Sequence, residues 1–193
     1  MLSTLGTSQL GGALKITSGT LATGGNSITL NNRALTMGAN GNLSISSGNF
    51  PGGFSSATLN SSSTVTFSGS GTQNMGLATK TVTFGNVVIS GSGTVVNTGT
   101  SNSIAGTMSI NSGTFNVNSI PLGGAGTINV ASGATLLMSG TSSLPTTSTI
   151  NFSNGSTAQY TGSSQTVGSA DYSNLTLSGS SGTYTCSAGV NVG

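Results

Sequence analysis

Few side chains in this chain could do acid–base, nucleophilic or metal chemistry. The only acid is Asp171; there is no glutamate and no histidine. The bases are Lys15, Arg33 and Lys80, and the only thiol is Cys186. General acid–base catalysis needs a group that titrates near neutral pH, most often His, Glu or Asp. A Ser–His–Asp arrangement cannot be assembled without histidine. A Ser–Lys dyad on Lys15 or Lys80 is the one formal possibility, but serine is so frequent here that a serine near a lysine carries no information. Zinc sites need clustered His or Cys, and calcium-binding β-rolls need an acid in every short repeat; neither pattern is present. The run Gly123-Gly124-Ala125-Gly126 leads into no helix bearing Lys-Thr or Lys-Ser, so it is no phosphate loop. We therefore expect no catalytic, cofactor-binding or metal-binding residues and no enzyme.

Three tyrosines could stack on sugar rings, Tyr160, Tyr172 and Tyr184. The first two align with Phe67 and Phe84 in an internal repeat, which assigns them to packing first. Cys186 has no internal disulfide partner and reads as a small half-buried strand residue. Three scattered cations cannot make the clustered phosphate contacts that nucleic acid requires. Residues 1 to 6 show neither a basic region followed by an apolar run nor a membrane span. No membrane insertion is expected, and an export signal, if there is one, would lie outside this sequence.

The elements that hold these residues are written in a short frame. Gly12-Ala13-Leu14-Lys15-Ile16-Thr17-Ser18-Gly19 alternates apolar and polar residues and closes on Ser-Gly. The frame returns at Gly41 to Gly48, Gly106 to Gly113 and Gly126 to Gly133. Alternation with period two marks a strand with one buried face, and Gly at the break supplies a turn. Ile28-Thr29-Leu30 and Leu35-Thr36-Met37 read as two further strands, and Phe50-Pro51-Gly52-Gly53-Phe54 as a corner or loop. Charged residues make up 2% of the chain, yet the apolar residues keep register, which excludes a disordered polar tract.

A longer period overlies the short one. Residues 59–70 match 152–163 without a gap, Gln73 and Gln165 then fall in matching places, and 84–92 match 172–180. We read 1–11 as a lead-in, 12–105 as a first module and 106–193 as a second, continuous with it. The second ends inside what reads as another strand, so the parent chain is expected to continue.

An antiparallel sandwich also uses short alternating strands. The repetition, the brevity of the strands and the near absence of charge favour an all-β, right-handed parallel β-solenoid of roughly eight to ten coils, with almost no helix. Similar residues would then stack in columns, and Asn and Thr columns would bond along the axis. The predicted core is Leu14, Ile16, Leu21, Ile28, Leu30, Leu35, Leu43, Ile45, Phe50, Leu59, Val65, Phe67, Val87, Ile89, Met108, Ile110, Phe115, Ile128, Val130, Ile150, Phe152, Leu175 and Leu177.

The segments Phe67-Ser68-Gly69-Ser70-Gly71-Thr72-Gln73 and Phe84-Gly85-Asn86-Val87-Val88-Ile89 resemble Gly/Thr/Ser/Asn-rich β-solenoid repeats of large secreted surface proteins, adhesins or filaments, of Bacteroidota and their relatives. The resemblance runs from about residue 12 onward and rests on composition. It implies an extracellular, cell-surface location and supplies no catalytic residues. The expected function is a non-catalytic structural segment of a stalk, adhesin or filament that self-associates end to end or laterally. The alternatives are a glycan-binding adhesin module, testable at Tyr184, and an ice-binding protein using outward Thr at Thr64-Val65-Thr66 and Thr81-Val82-Thr83.

Overall fold

Short alternating strands broken every few residues leave each segment one way to satisfy its backbone, which is to pair with the equivalent segment one coil away. That is what the chain does. A computed structural model describes residues 8–9 and 12–193. They form strands, turns and bends, with no helix among the described residues. Every strand pairing is parallel. The result is a parallel β-solenoid of about 9 turns. The expected lead-in, 1–11, lies outside the described residues apart from Ser8–Gln9, which pair with Ile28 and Thr29.

Each turn has three faces. In a representative turn, Asn86–Ile89 lies on face A, Thr94–Asn97 on face B and Asn102–Ile104 on face C. Thr107–Ile110 then returns to face A, with Met108 beside Val87. Ladder partners lie 20–22 residues apart over most of the rod, as in Thr64 with Asn86 and Thr107 with Thr127. Near the end the coil tightens, and Thr157 pairs with Asn174 only 17 residues on.

The interior is a set of columns. On face A, Leu21, Leu43, Val65, Val87, Met108, Ile128 and Ile150 stand in one register column. Ile45, Phe67, Ile89, Ile110, Val130 and Phe152 stand in the next. Face B contributes Val95, Phe115, Leu136 and Ala158. Most of the predicted core is buried. The same alternation buries residues the prediction left out, among them Met75, Phe84, Ile104, Leu122, Leu136, Tyr160 and Tyr172. Phe50 meets both Phe54 and Phe84 edge-on, with ring centroids 6.2 and 5.2 Å away.

Five expectations are corrected. Leu177 is 43% exposed, because among the described residues Asn174–Leu177 is the end strand of its sheet; Leu175 on the same strand is only half-buried. Leu14, Leu59, Ile150 and Phe152 are also only partly covered. Cys186 pairs with the buried Val167 but lies in the last coil and is exposed. Ile28-Thr29-Leu30 and Leu35-Thr36-Met37 are one strand, Ile28–Ile45. It turns its corner at Asn31 and Asn32 with φ of 46° and 63°, a conformation asparagine tolerates better than most residues. Likewise Gly52–Leu59 is a strand, so of the expected loop only Phe50 and Pro51 lie outside a strand.

Corners are glycine-rich for a steric reason. A Cβ on Gly91 would strike the carbonyl of Gly69, one on Gly113 that of Gly93, and one on Gly126 that of Gly106. Successive coils stack so closely at these bends that there is no room for a side chain.

Candidate functional site

The ionisable residues do not converge. Lys15 is exposed and pairs through its backbone with Thr36. Arg33 pairs with Phe54, and Lys80 Nζ donates to the carbonyl of Ser55 at 3.4 Å, not to a hydroxyl. Asp171 lies near the other end of the rod, where its Oδ1 accepts from Asn191 Nδ2 at 2.7 Å. No group of three metal-ligating side chains occurs among the described residues. Among the described residues, no serine, threonine or cysteine side chain is hydrogen-bonded to Lys15, Lys80 or Asp171.

The polar chemistry is in two other places. The first is inside the corners. Gln73 is buried; its Oε1 accepts from Gly69 N–H at 2.9 Å, and its Nε2 donates to the carbonyls of Ile45 and Gly48 at 3.1 and 3.0 Å. Gln165 repeats the arrangement: Oε1 accepts from Gly162 N–H at 2.6 Å, and Nε2 donates to Met138 and Ser142 at 3.1 and 2.7 Å. Tyr184 does the same with a hydroxyl, accepting from Gly179 N–H at 2.6 Å and lying 2.9 Å from the carbonyl of Gly162. Each lock satisfies a backbone N–H that the turn after a strand would otherwise leave unpaired, buried at Gly69 and Gly162 and partly buried at Gly179. At the next corner, Asn102 accepts from Val82 N–H at 3.0 Å and donates to Asn97 Oδ1 at 2.7 Å.

The matching places of Gln73 and Gln165 thus hold the same bonds, but on different sides of the rod. Face A carries, coil by coil, Thr64, Asn86, Thr107, Thr127 and Thr149, and Thr157 follows one face later. The matched segments are four turns and one face apart. Thr64–Phe67 sits on face A, whereas Thr157–Tyr160 sits on face B.

The tyrosines are fixtures of the last coils. Tyr160 and Tyr172 are buried with their hydroxyls 3.2 Å apart. Together they hold both backbone groups of Gly168: its N–H donates to Tyr160 Oη, and Tyr172 Oη donates to its carbonyl. Burial pushes both phenols above their ordinary pKa of 10.0, which keeps them neutral donors. Neither ring reaches solvent to stack on a sugar; Tyr184 is half-buried.

The second place is outside, where polar residues form ladders along each face. On face B, Thr72, Thr94, Thr114, Thr135 and Thr157 are consecutive partners. Thr64-Val65-Thr66 and Thr81-Val82-Thr83 do not share a face. On face C the hydroxyls pair with each other, Thr81 with Thr100 at 3.0 Å and Thr83 with Ser103 at 2.9 Å. The face B ladder was missed in the sequence, although its trace is visible: Thr72, Thr94 and Thr114 each follow a glycine. No protein-family model, curated protein or solved structure matches this chain.

Proposed function

We propose that this chain is a non-catalytic structural segment of an extracellular surface stalk or filament, and that copies of it associate end to end. The observation that carries the reading is the parallel ladder that bonds each coil in register to the next along one axis, a form that lengthens by adding like coils. On the coil of residues 174–193, which a continuation of the chain or a second copy would cover, Leu177 and Val192 stand 43% and 58% exposed, and a strand edge of this kind is a template for another strand. With only 2% charged residues, little like-charge repulsion opposes association. The resemblance to secreted surface repeats supports the extracellular assignment.

Negative-stain microscopy of the purified chain tests the association. One copy is a rod about 40 Å long at a coil spacing of about 4.8 Å; stacked copies give fibres of many such lengths. Leu177→Lys with Val192→Lys should shorten them. Discrete short rods at high concentration, with a monomeric sedimentation coefficient, would end this reading. Antibody labelling of intact source cells tests the location, and labelling only after permeabilisation is the contrary result.

A further inference from the structure

We propose that face B is a docking surface for one extended chain of a neutral β-1,4-linked polysaccharide laid along the rod axis. Two columns of outward side chains define the surface. The first is the unbroken ladder of Thr72, Thr94, Thr114, Thr135 and Thr157. Unlike the hydroxyls of face C, which bond one another, these are engaged by no side-chain hydrogen bond among the described residues. They offer a hydroxyl at every coil, each able to donate and to accept.

The second column is Asn74, Val96, Asn116, Leu137 and Gln159. Amide and aliphatic side chains alternate in it, so the pattern recurs every second coil. In a β-1,4-linked chain each sugar is turned over relative to the one before, so the same edge also recurs every second unit. One unit is nearly as long as the coil spacing of about 4.8 Å. The C–H face of a sugar ring can lie on Val96 and Leu137, while its neighbours present hydroxyls to the amides. Two amide atoms are partly committed already and fix the orientation of the rest. Asn116 Oδ1 accepts from Ser139 Oγ at 2.7 Å, which leaves its Nδ2. Gln159 Nε2 donates to Ser178 Oγ at 3.2 Å, which leaves its Oε1.

Charge and area select the occupant. None of the six face B strands carries a charged residue, so an acidic glycan, a nucleic acid or a basic peptide gains nothing there. Six strands at about 4.8 Å spacing and four residues of about 3.3 Å give a flat area of roughly 300 Å². A stable protein partner needs about 800 Å² per side. The face is too narrow for a second copy and the right width for a single sugar chain. From Thr66 to Asn151, face A has Val88 as the one aliphatic residue in the corresponding outward column, and its Asn129 and Asn151 bond each other at 2.8 Å.

The proposal needs the rod but not end-to-end stacking, and its variants leave Leu177 and Val192 untouched. The full chain is mixed with suspensions of microcrystalline cellulose and of chitin, and depletion from solution is measured. We expect retention on at least one of them. Leu137→Lys and Val96→Lys together should weaken it at least tenfold, with an unchanged circular dichroism spectrum. Val88→Lys on face A should bind as the parent does. If the double variant misfolds, Leu137→Asn carries the test, with a loss of about threefold or more. Failure of the parent chain to bind either polysaccharide overturns the proposal. So does equal binding by the folded face B variants, or equal weakening by Val88→Lys. A dimer in sedimentation that Leu137→Lys dissociates, with no polysaccharide retained, would make the face an interface between copies instead.

Discussion

Replacing Gln73 with leucine keeps the shape of the side chain and removes only its amide, so it isolates the corner lock. Three backbone groups lose a partner: Gly69 N–H and the carbonyls of Ile45 and Gly48. They do not lose equally. The Ile45 carbonyl still accepts from Ser68 N–H at 2.9 Å, and Gly48 is half-exposed, so water can replace the amide there. Gly69 is buried, and its N–H is left with nothing. One orphaned buried donor costs about 1–3 kcal/mol, and each replaceable bond about 0.5–1.5 kcal/mol. Against the partial offset from a more apolar side chain, we expect about 2–4 kcal/mol. In a solenoid each coil contacts only its neighbours, so the loss is local. The assay is therefore hydrogen exchange at the Gly69 amide, which should accelerate about 30- to 1000-fold, read beside a denaturant titration. A glutamate at the same position sharpens the argument. Its second oxygen would face the two carbonyls, and burial among acceptors raises its pKa above the roughly 4.3 of the unfolded chain. A group with a raised folded pKa contributes stability below the unfolded value and loses it as pH rises. Gln73→Glu should thus be worse than leucine at pH 7 and recover on acidification. Gly69 protection within threefold of the parent in Gln73→Leu would refute the lock.

Other outcomes follow from the same packing. Ile110→Asp or Val65→Asp places an unpaired carboxylate in a fully buried column and should unfold at least the local coils, whereas the outward Thr66→Asp should change stability by less than about 0.5 kcal/mol; circular dichroism and melting separate them. Gly91→Ala forces a Cβ onto the Gly69 carbonyl, while Gly71→Ala meets nothing within 4 Å, so only the first should lower the melting temperature. Tyr160 and Tyr172 have folded pKa values above the unfolded 10.0. Their stabilisation is complete below pH 10 and is lost as pH rises beyond it, and since the chain has one acid and no histidine, the melting temperature should be flat from about pH 5 to 9. Thermal hysteresis should be absent at micromolar protein, because Thr64 and Thr66 make the one coil on face A with threonine at both outward positions, and the threonine ladder of face B stands beside Asn74, Val96, Asn116, Leu137 and Gln159 rather than beside a second threonine column.

Sequence alone settled the class of fold. Alternation at Leu43, Ile45, Val65 and Phe67 fixes which side chains turn inward, because a strand has only two sides, and Ser-Gly after each run fixes where the chain bends. The scarcity of Asp, Glu and His was equally readable, since composition does not depend on folding. What the linear pattern could not carry was the angle about the axis. Matching Thr64–Phe67 to Thr157–Tyr160 is correct residue by residue, yet coils of 20–22 residues do not divide the interval evenly. The copies end on different faces, and only the closed ladder reveals which columns form. For the same reason the matching of Gln73 with Gln165 does not say what either side chain bonds until the turn is closed around it, and Leu177 reads as core until the covering above it is considered. Burial depends on the neighbouring coil, and a residue's own segment does not say whether one is there.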